Sequence, residues 1–72
     1  MGFTLDNLSP NQVATIKRVK TGAIAAKLMD MGLFPGKKVS LLFKAPLGDP
    51  IAIDVEGYTL SLRKSEAILV EL

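Results

Sequence analysis

The stretch Ile51-Ala52-Ile53-Asp54-Val55-Glu56-Gly57-Tyr58-Thr59-Leu60-Ser61-Leu62-Arg63 carries two apolar alternations around a single glycine. Ile51, Ile53 and Val55 share one face of an extended chain, and Tyr58, Leu60 and Leu62 share the matching face on the return. Gly57 permits the tight reversal between them. The pattern predicts a β-hairpin with one apolar side, and a lone hairpin is unstable in water, so further elements must cover it. Upstream, Val39, Leu41 and Phe43 alternate with Ser40, Leu42 and Lys44. Residues 38–44 therefore read as a third strand that leaves Leu42 outward. Downstream, a polar corner at Lys64-Ser65-Glu66 leads to a last strand over residues 67–72, with Ile68 and Val70 inward.

Residues 13–20 are rich in β-branched side chains, and a bulge near Lys17-Arg18 would bring Ala14, Ile16 and Val19 onto one face. Before them, Thr4 caps one helical turn through Leu8, and Ser9-Pro10-Asn11-Gln12 reads as a turn. Thr21 is a fitting N-cap for a helix over residues 22–31, in which Ile24, Ala25, Leu28 and Met29 recur at helical spacing. Gly32 then supplies the position that ends it. Residues 45–50, Ala45-Pro46-Leu47-Gly48-Asp49-Pro50, hold two prolines and a glycine and form a stiff connection. The expected fold is mainly β with one helix, a single domain over residues 1–72 whose five strands close into a small barrel and so remove exposed edges.

The chain has 72 residues, 49% of them hydrophobic, with no cysteine and no histidine. A domain this small buries only about 60% of its unfolded surface, and here neither disulfides nor a zinc site of the usual kind can assist the core. Nine basic residues against seven acidic give a charge of +2, far from the clustered surplus of a nucleic-acid binder. No apolar run reaches the roughly 20 residues of a membrane span, and no signal-peptide layout opens the chain. A soluble, cytoplasmic protein is expected. Met1-Gly2 meets the start of a myristoylation motif, but Asp6 stands where Ser or Thr is needed.

Chemistry is poorly supplied. Without histidine, none of Ser9, Ser40, Ser61 and Ser65 has the usual base, and Asp54 and Glu56 lie on the outward face of a strand. No catalytic residue, cofactor or metal ligand is assigned, since oxygen ligands alone remain and the carboxylates are scattered. The glycines and lysine of Gly32-Leu33-Phe34-Pro35-Gly36-Lys37 only faintly resemble a phosphate-binding loop; a helix stop and a turn explain them. The rival function is a nucleic-acid-binding barrel, with Lys17, Arg18, Lys20, Lys37 and Lys38 as its cations, yet Phe43 and Tyr58 are expected to point inward and away from any stacking face. Small-ligand binding between helix and barrel is a third reading.

What stands out is apolar surface. Leu47 occupies the tip of the stiff loop, where its display costs little entropy on binding, while Met29, Leu33 and Phe34 more naturally fold back on the helix end as core.

Three stretches, Leu28-Met29-Asp30-Met31-Gly32-Leu33-Phe34-Pro35-Gly36, then Ala45-Pro46-Leu47-Gly48-Asp49-Pro50-Ile51, then Leu60-Ser61-Leu62-Arg63-Lys64, resemble the ferrous-iron transport protein A (FeoA) family in this order and spacing. The resemblance runs nearly end to end. It implies an SH3-like barrel, a family association with transition-metal ions, and a partner: the FeoB-type membrane permease, whose cytosolic region binds GTP. The chain would then regulate or help assemble ferrous-iron uptake, without spanning the membrane and with weak homo-oligomerisation left open. Leu47, Gly48 and Asp49, with Lys27, Met31 and Leu33 on the helix, are the expected partner-binding residues. The sequence departs from the family at Asn11, where a turn glycine is common, at Ala25-Ala26, in a stretch often rich in arginine, and at the more basic Lys37-Lys38. With no thiolate or imidazole, an iron carrier is not expected.

Overall fold

A computed structural model describes residues 3–72; the acylation motif at Met1-Gly2 lies outside them. In chain order the elements are a 3-10 turn at Leu5–Asn7, β1 (Val13–Thr15), β2 (Arg18–Val19), α1 (Ala23–Asp30), β3 (Lys38–Lys44), β4 (Ile51–Val55), β5 (Tyr58–Leu62), α2 (Lys64–Ala67) and β6 (Val70–Glu71). The central hairpin forms as its alternation predicts. β4 and β5 pair from Ile51↔Leu62 to Val55↔Tyr58 without a slip, and the two turn residues both take left-handed backbone, Glu56 at φ 46 and Gly57 at φ 109. A two-residue turn of this kind matches the twist of its strands. Glycine adopts it freely and glutamate does not, but the Glu56 carboxylate accepts the Lys38 N–H at 3.0 Å and faces Lys37 Nζ at 3.3 Å. The turn is thereby tied to the start of β3.

The expected closed barrel of five strands is not what forms. Six strands divide into an open four-stranded antiparallel sheet, ordered β1-β3-β4-β5, and a two-stranded sheet of β2 and β6. The expected single strand over residues 13–20 is the reason, because it bends into a corner rather than bulging. Ile16 still bonds to the large sheet's approach, its N–H to Lys37 O at 2.8 Å and its carbonyl to Gly36 N at 2.9 Å, whereas the next residue, Lys17, donates to Glu71 O at 2.7 Å in the small sheet. One segment thus serves two sheets, and Ile16, at the corner, is buried between them.

The core gathers Leu5, Leu8, Ile16, Leu28, Leu33, Val39, Leu41, Ile51, Ile53, Val55, Leu62, Ala67 and Val70. Three expectations about it need correction. A bulge between Leu41 and Phe43 shifts the β3–β4 register, which turns Phe43 outward at 61% exposure and leaves Ala52, its cross-strand neighbour, buried. The expected last strand over residues 67–72 is shortened to Val70–Glu71, and the expected corner at Lys64-Ser65-Glu66 is the short helix α2, which runs on to Ala67. Its first N–H groups are satisfied by carboxylates, Lys64 N by Asp49 Oδ1 at 3.0 Å and Arg63 N by Glu66 Oε1 at 2.9 Å. Ala67 at the helix end and Val70 in β6 are buried, the latter as expected, whereas Ile68 between them turns out. Third, α1 starts after Gly22, not Thr21, and no side chain caps it. One smaller expectation holds: Asn11 takes the positive φ of a turn glycine, at 66°. The first and last described residues also meet, Leu72 N donating to Phe3 O at 2.8 Å.

The C-terminus of α1 compensates for its uncapped start. Gly32, at φ 97, lets Leu33 N reach Leu28 O at 3.0 Å and Gly32 N reach Met29 O at 2.9 Å, the paired bonds that close a helix through a left-handed residue. Leu28 and Leu33, brought together by that closure, are both buried. Tyr58, expected to point inward, is instead 45% exposed, because its ring reaches out to the helix end, where its hydroxyl donates to Met31 O at 2.6 Å. A Cβ added at Gly32 would overlap that hydroxyl. Gly32→Ala should therefore cost about 2–3 kcal/mol, from left-handed backbone and a displaced hydrogen bond, and each kcal/mol should lower Tm by roughly 4–8 °C in a domain of this size. Tyr58→Phe should soften the effect of Gly32→Ala, a coupling that a thermal-melt double-mutant cycle reads directly.

Three glutamates tie the elements together, and all are held below their ordinary value of 4.5. The Lys38 N–H and then the Lys37 ammonium act on Glu56, the Arg63 N–H and then Lys27 on Glu66, and the Arg18 guanidinium on Glu71. A carboxyl depressed in the folded chain binds fewer protons there than in the unfolded chain, so its contribution is present above the unfolded value and lost as pH falls through the folded one. Tm should hold from neutral pH down to the range of 4.5 and decline below it, with Glu71→Gln flattening part of the decline.

Candidate functional site

Residues 45–50 fold as a braced turn. Gly48, at φ 81, donates to Ala45 O at 2.7 Å, and Ala45 N donates to Pro50 O at 3.0 Å; Pro46 fits the second turn position because its ring pre-sets φ. Leu47 comes third and projects into solvent at 96% exposure. Asp49, preceding a cis peptide to Pro50, turns its side chain away from the tip to cap α2 at Lys64 N. Two elements 15 residues apart are pinned by that one carboxylate.

A cleft opens at the base of this loop, lined by Lys27, Pro50, Ser61, Leu62, Arg63 and Glu66. Lys27 spans it from α1, with Nζ 3.4 Å from Glu66 Oε2 on α2. The six expected partner-binding residues are therefore divided. Leu47, Gly48 and Asp49 stand in the loop above the cleft, and Lys27 stands on its rim. Met31 is half-buried against the core, with its carbonyl engaged by Tyr58. Leu33, at 0% exposure, is core and offers a partner no surface, because the helix closure at Gly32 folds it back onto Leu28. Met29 and Phe34, expected beside it in the core, are exposed instead, Phe34 lying under Lys37 Nζ at 5.0 Å.

Ser61, Arg63 and Glu66 were not assigned a role from the sequence. Their signal was the polar run after the hairpin, which reads as a corner until Asp49 and Lys27 are seen to converge on it.

The family model described as the FeoA domain matches residues 3–72. The chain belongs to the FeoA family. It is 32% identical, over 69 residues, to the Fe(2+) transport protein A/Fe(2+) transporter FeoB fusion protein of Porphyromonas gingivalis, covering 94% of this chain but only 8% of that protein. Among solved structures it resembles iron(II) transport protein A from Clostridium thermocellum at 40% identity and a TM-score of 0.90, over 96% of this chain and 43% of the other. It also resembles Stenotrophomonas maltophilia FeoA, a prokaryotic SH3 domain protein complexed with zinc, at 32% identity and a TM-score of 0.82, over 94% and 86% of the two chains. The fold is accordingly SH3-like, and the family is one associated with ferrous-iron transport. Zinc does not fit this chain's donors: it has no cysteine or histidine, and no group of three acidic ligands gathers among the described residues. No helix among those residues is long and apolar enough to cross a membrane.

If Asp49 braces the loop as the geometry indicates, Asp49→Ala should leave the sheets intact, lower stability by about 1 kcal/mol as lost helix caps do, and broaden or shift the amide resonances of residues 46–49 and 64–66 together.

Proposed function

We propose that this domain is a cytoplasmic accessory protein of ferrous-iron uptake that binds the cytosolic GTP-binding region of a FeoB-type permease and biases its nucleotide cycle or its assembly. The observation that carries the reading is Leu47: a large apolar side chain, 96% exposed, on a turn held by two main-chain hydrogen bonds and a cap. Such a side chain gains contact area on docking while losing little freedom. Nothing stands within 4 Å of a Cβ built at Gly48, so the approach beside it is open, and Lys27 lines the cleft at the base of the loop. Fusion of the two components in the Porphyromonas gingivalis relative supports the choice of partner, since joining two proteins in one chain raises their effective concentration where they already act together. Of the five cations of the nucleic-acid alternative, Arg18 and Lys37 are each engaged by a glutamate, which lends that alternative little support.

Replacing Leu47 with Asp should preserve the melting profile and abolish pull-down of the permease's cytosolic region, and should remove any effect of the domain on GTP hydrolysis by that region. Undiminished capture by the variant would exclude the loop as the contact.

A further inference from the structure

β5 is the last strand of the four-stranded sheet, and its outer edge is bare. Val55 and Tyr58 flank a two-residue turn, so their pairing must be a direct exchange of main-chain hydrogen bonds. Alternation then directs the N–H and C=O groups of Tyr58, Leu60 and Leu62 toward β4 and those of Thr59 and Ser61 away from it. Among the described residues no main-chain hydrogen bond involves Thr59 or Ser61 outside that hairpin, and both residues are exposed. Natural edges are commonly blunted by charge, proline or a bulge. Tyr58-Thr59-Leu60-Ser61-Leu62 contains neither charge nor proline and pairs without a register shift. The opposite edge, β1, is only three residues long.

The bare edge runs into the cleft, whose lining includes Ser61 and Arg63. Among the described residues Arg63 and Lys64 have no carboxylate within ion-pair distance, while Lys27 has one, Glu66. Lys27, Arg63 and Lys64 meet two carboxylates there, Glu66 and the Asp49 that caps Lys64 N, so the strand ends against one excess positive charge. We infer that the β5 edge receives an extended, acidic segment of a partner protein as a fifth strand. The segment's main chain bonds Thr59 and Ser61, and its carboxylates lie toward Arg63 and Lys64. In strand addition of this kind the main-chain bonds supply affinity and the flanking side chains supply choice.

Amide hydrogen exchange with a capped octapeptide alternating glutamate and valine tests this. At saturation the Thr59 and Ser61 amides should exchange at least roughly tenfold more slowly, and protection should weaken as salt rises. A peptide alternating lysine and valine should give no protection. Ser61→Pro removes an N–H that points out of the sheet, as edge positions tolerate, and should abolish binding with the rest of the amide spectrum retained; Arg63→Glu, which leaves the backbone alone, should weaken it several-fold. Unprotected Thr59 and Ser61 amides, or equal protection by the lysine peptide, would overturn the inference. So would slowing that grows with protein concentration in the absence of peptide, which would assign the edge to a second copy of this chain. Leu47→Asp should leave the peptide result unchanged, so the edge and the loop stand or fall separately.

Discussion

The left-handed turn at Gly32 is the constraint on which the other parts depend. An eight-residue helix without an N-terminal side-chain cap is too short to be stable by itself, so α1 holds its place through Leu28 and Leu33, and those two meet only because the backbone reverses at Gly32. The same reversal exposes the Met31 carbonyl to Tyr58, which ties the helix end to the start of β5. Lys27, one residue before the Leu28 anchor, is thereby held over the cleft.

The loop and the cleft form one mechanical unit. Asp49 leaves the loop to cap α2, Glu66 of α2 reaches Lys27 of α1, and Arg63 at the start of α2 continues the strand that forms the sheet's edge. Each tie is an exposed polar contact worth little alone. Together they restrict how the loop tip moves relative to the helix, and a surface whose parts keep their spacing loses less entropy on binding.

Where an element depends on its own residues, the sequence was legible. The hairpin followed from apolar alternation and one glycine, the helix stop from Gly32, and the turn at Asn11 from the side chain's tolerance of positive φ. What failed depended on partners distant in the chain. α2 is stabilised by an aspartate 15 residues upstream as well as by its own Glu66, and the local signal alone reads as a corner. Phe43 kept perfect alternation on paper, and one extra residue in the β3–β4 register was enough to reverse its face. The division into two sheets required knowing that Ile16 and Lys17 bond in opposite directions. Of the candidate site, the loop was readable because prolines and glycine announce stiffness, whereas the cleft was not, being built from ordinary residues of α1, the loop, β5 and α2.

The meeting of the first and last described residues gives the domain a particular modularity. With Leu72 N bonded to Phe3 O, a segment leaving one end starts beside the other, and a host polypeptide could carry the unit as a pendant on a single stalk without stretching either sheet. The loop tip, residues 46–48, lies far in sequence from both ends. A domain wired in this way can be borne by a larger chain or act by itself with the same working surface, and a change from one arrangement to the other need not rebuild the fold.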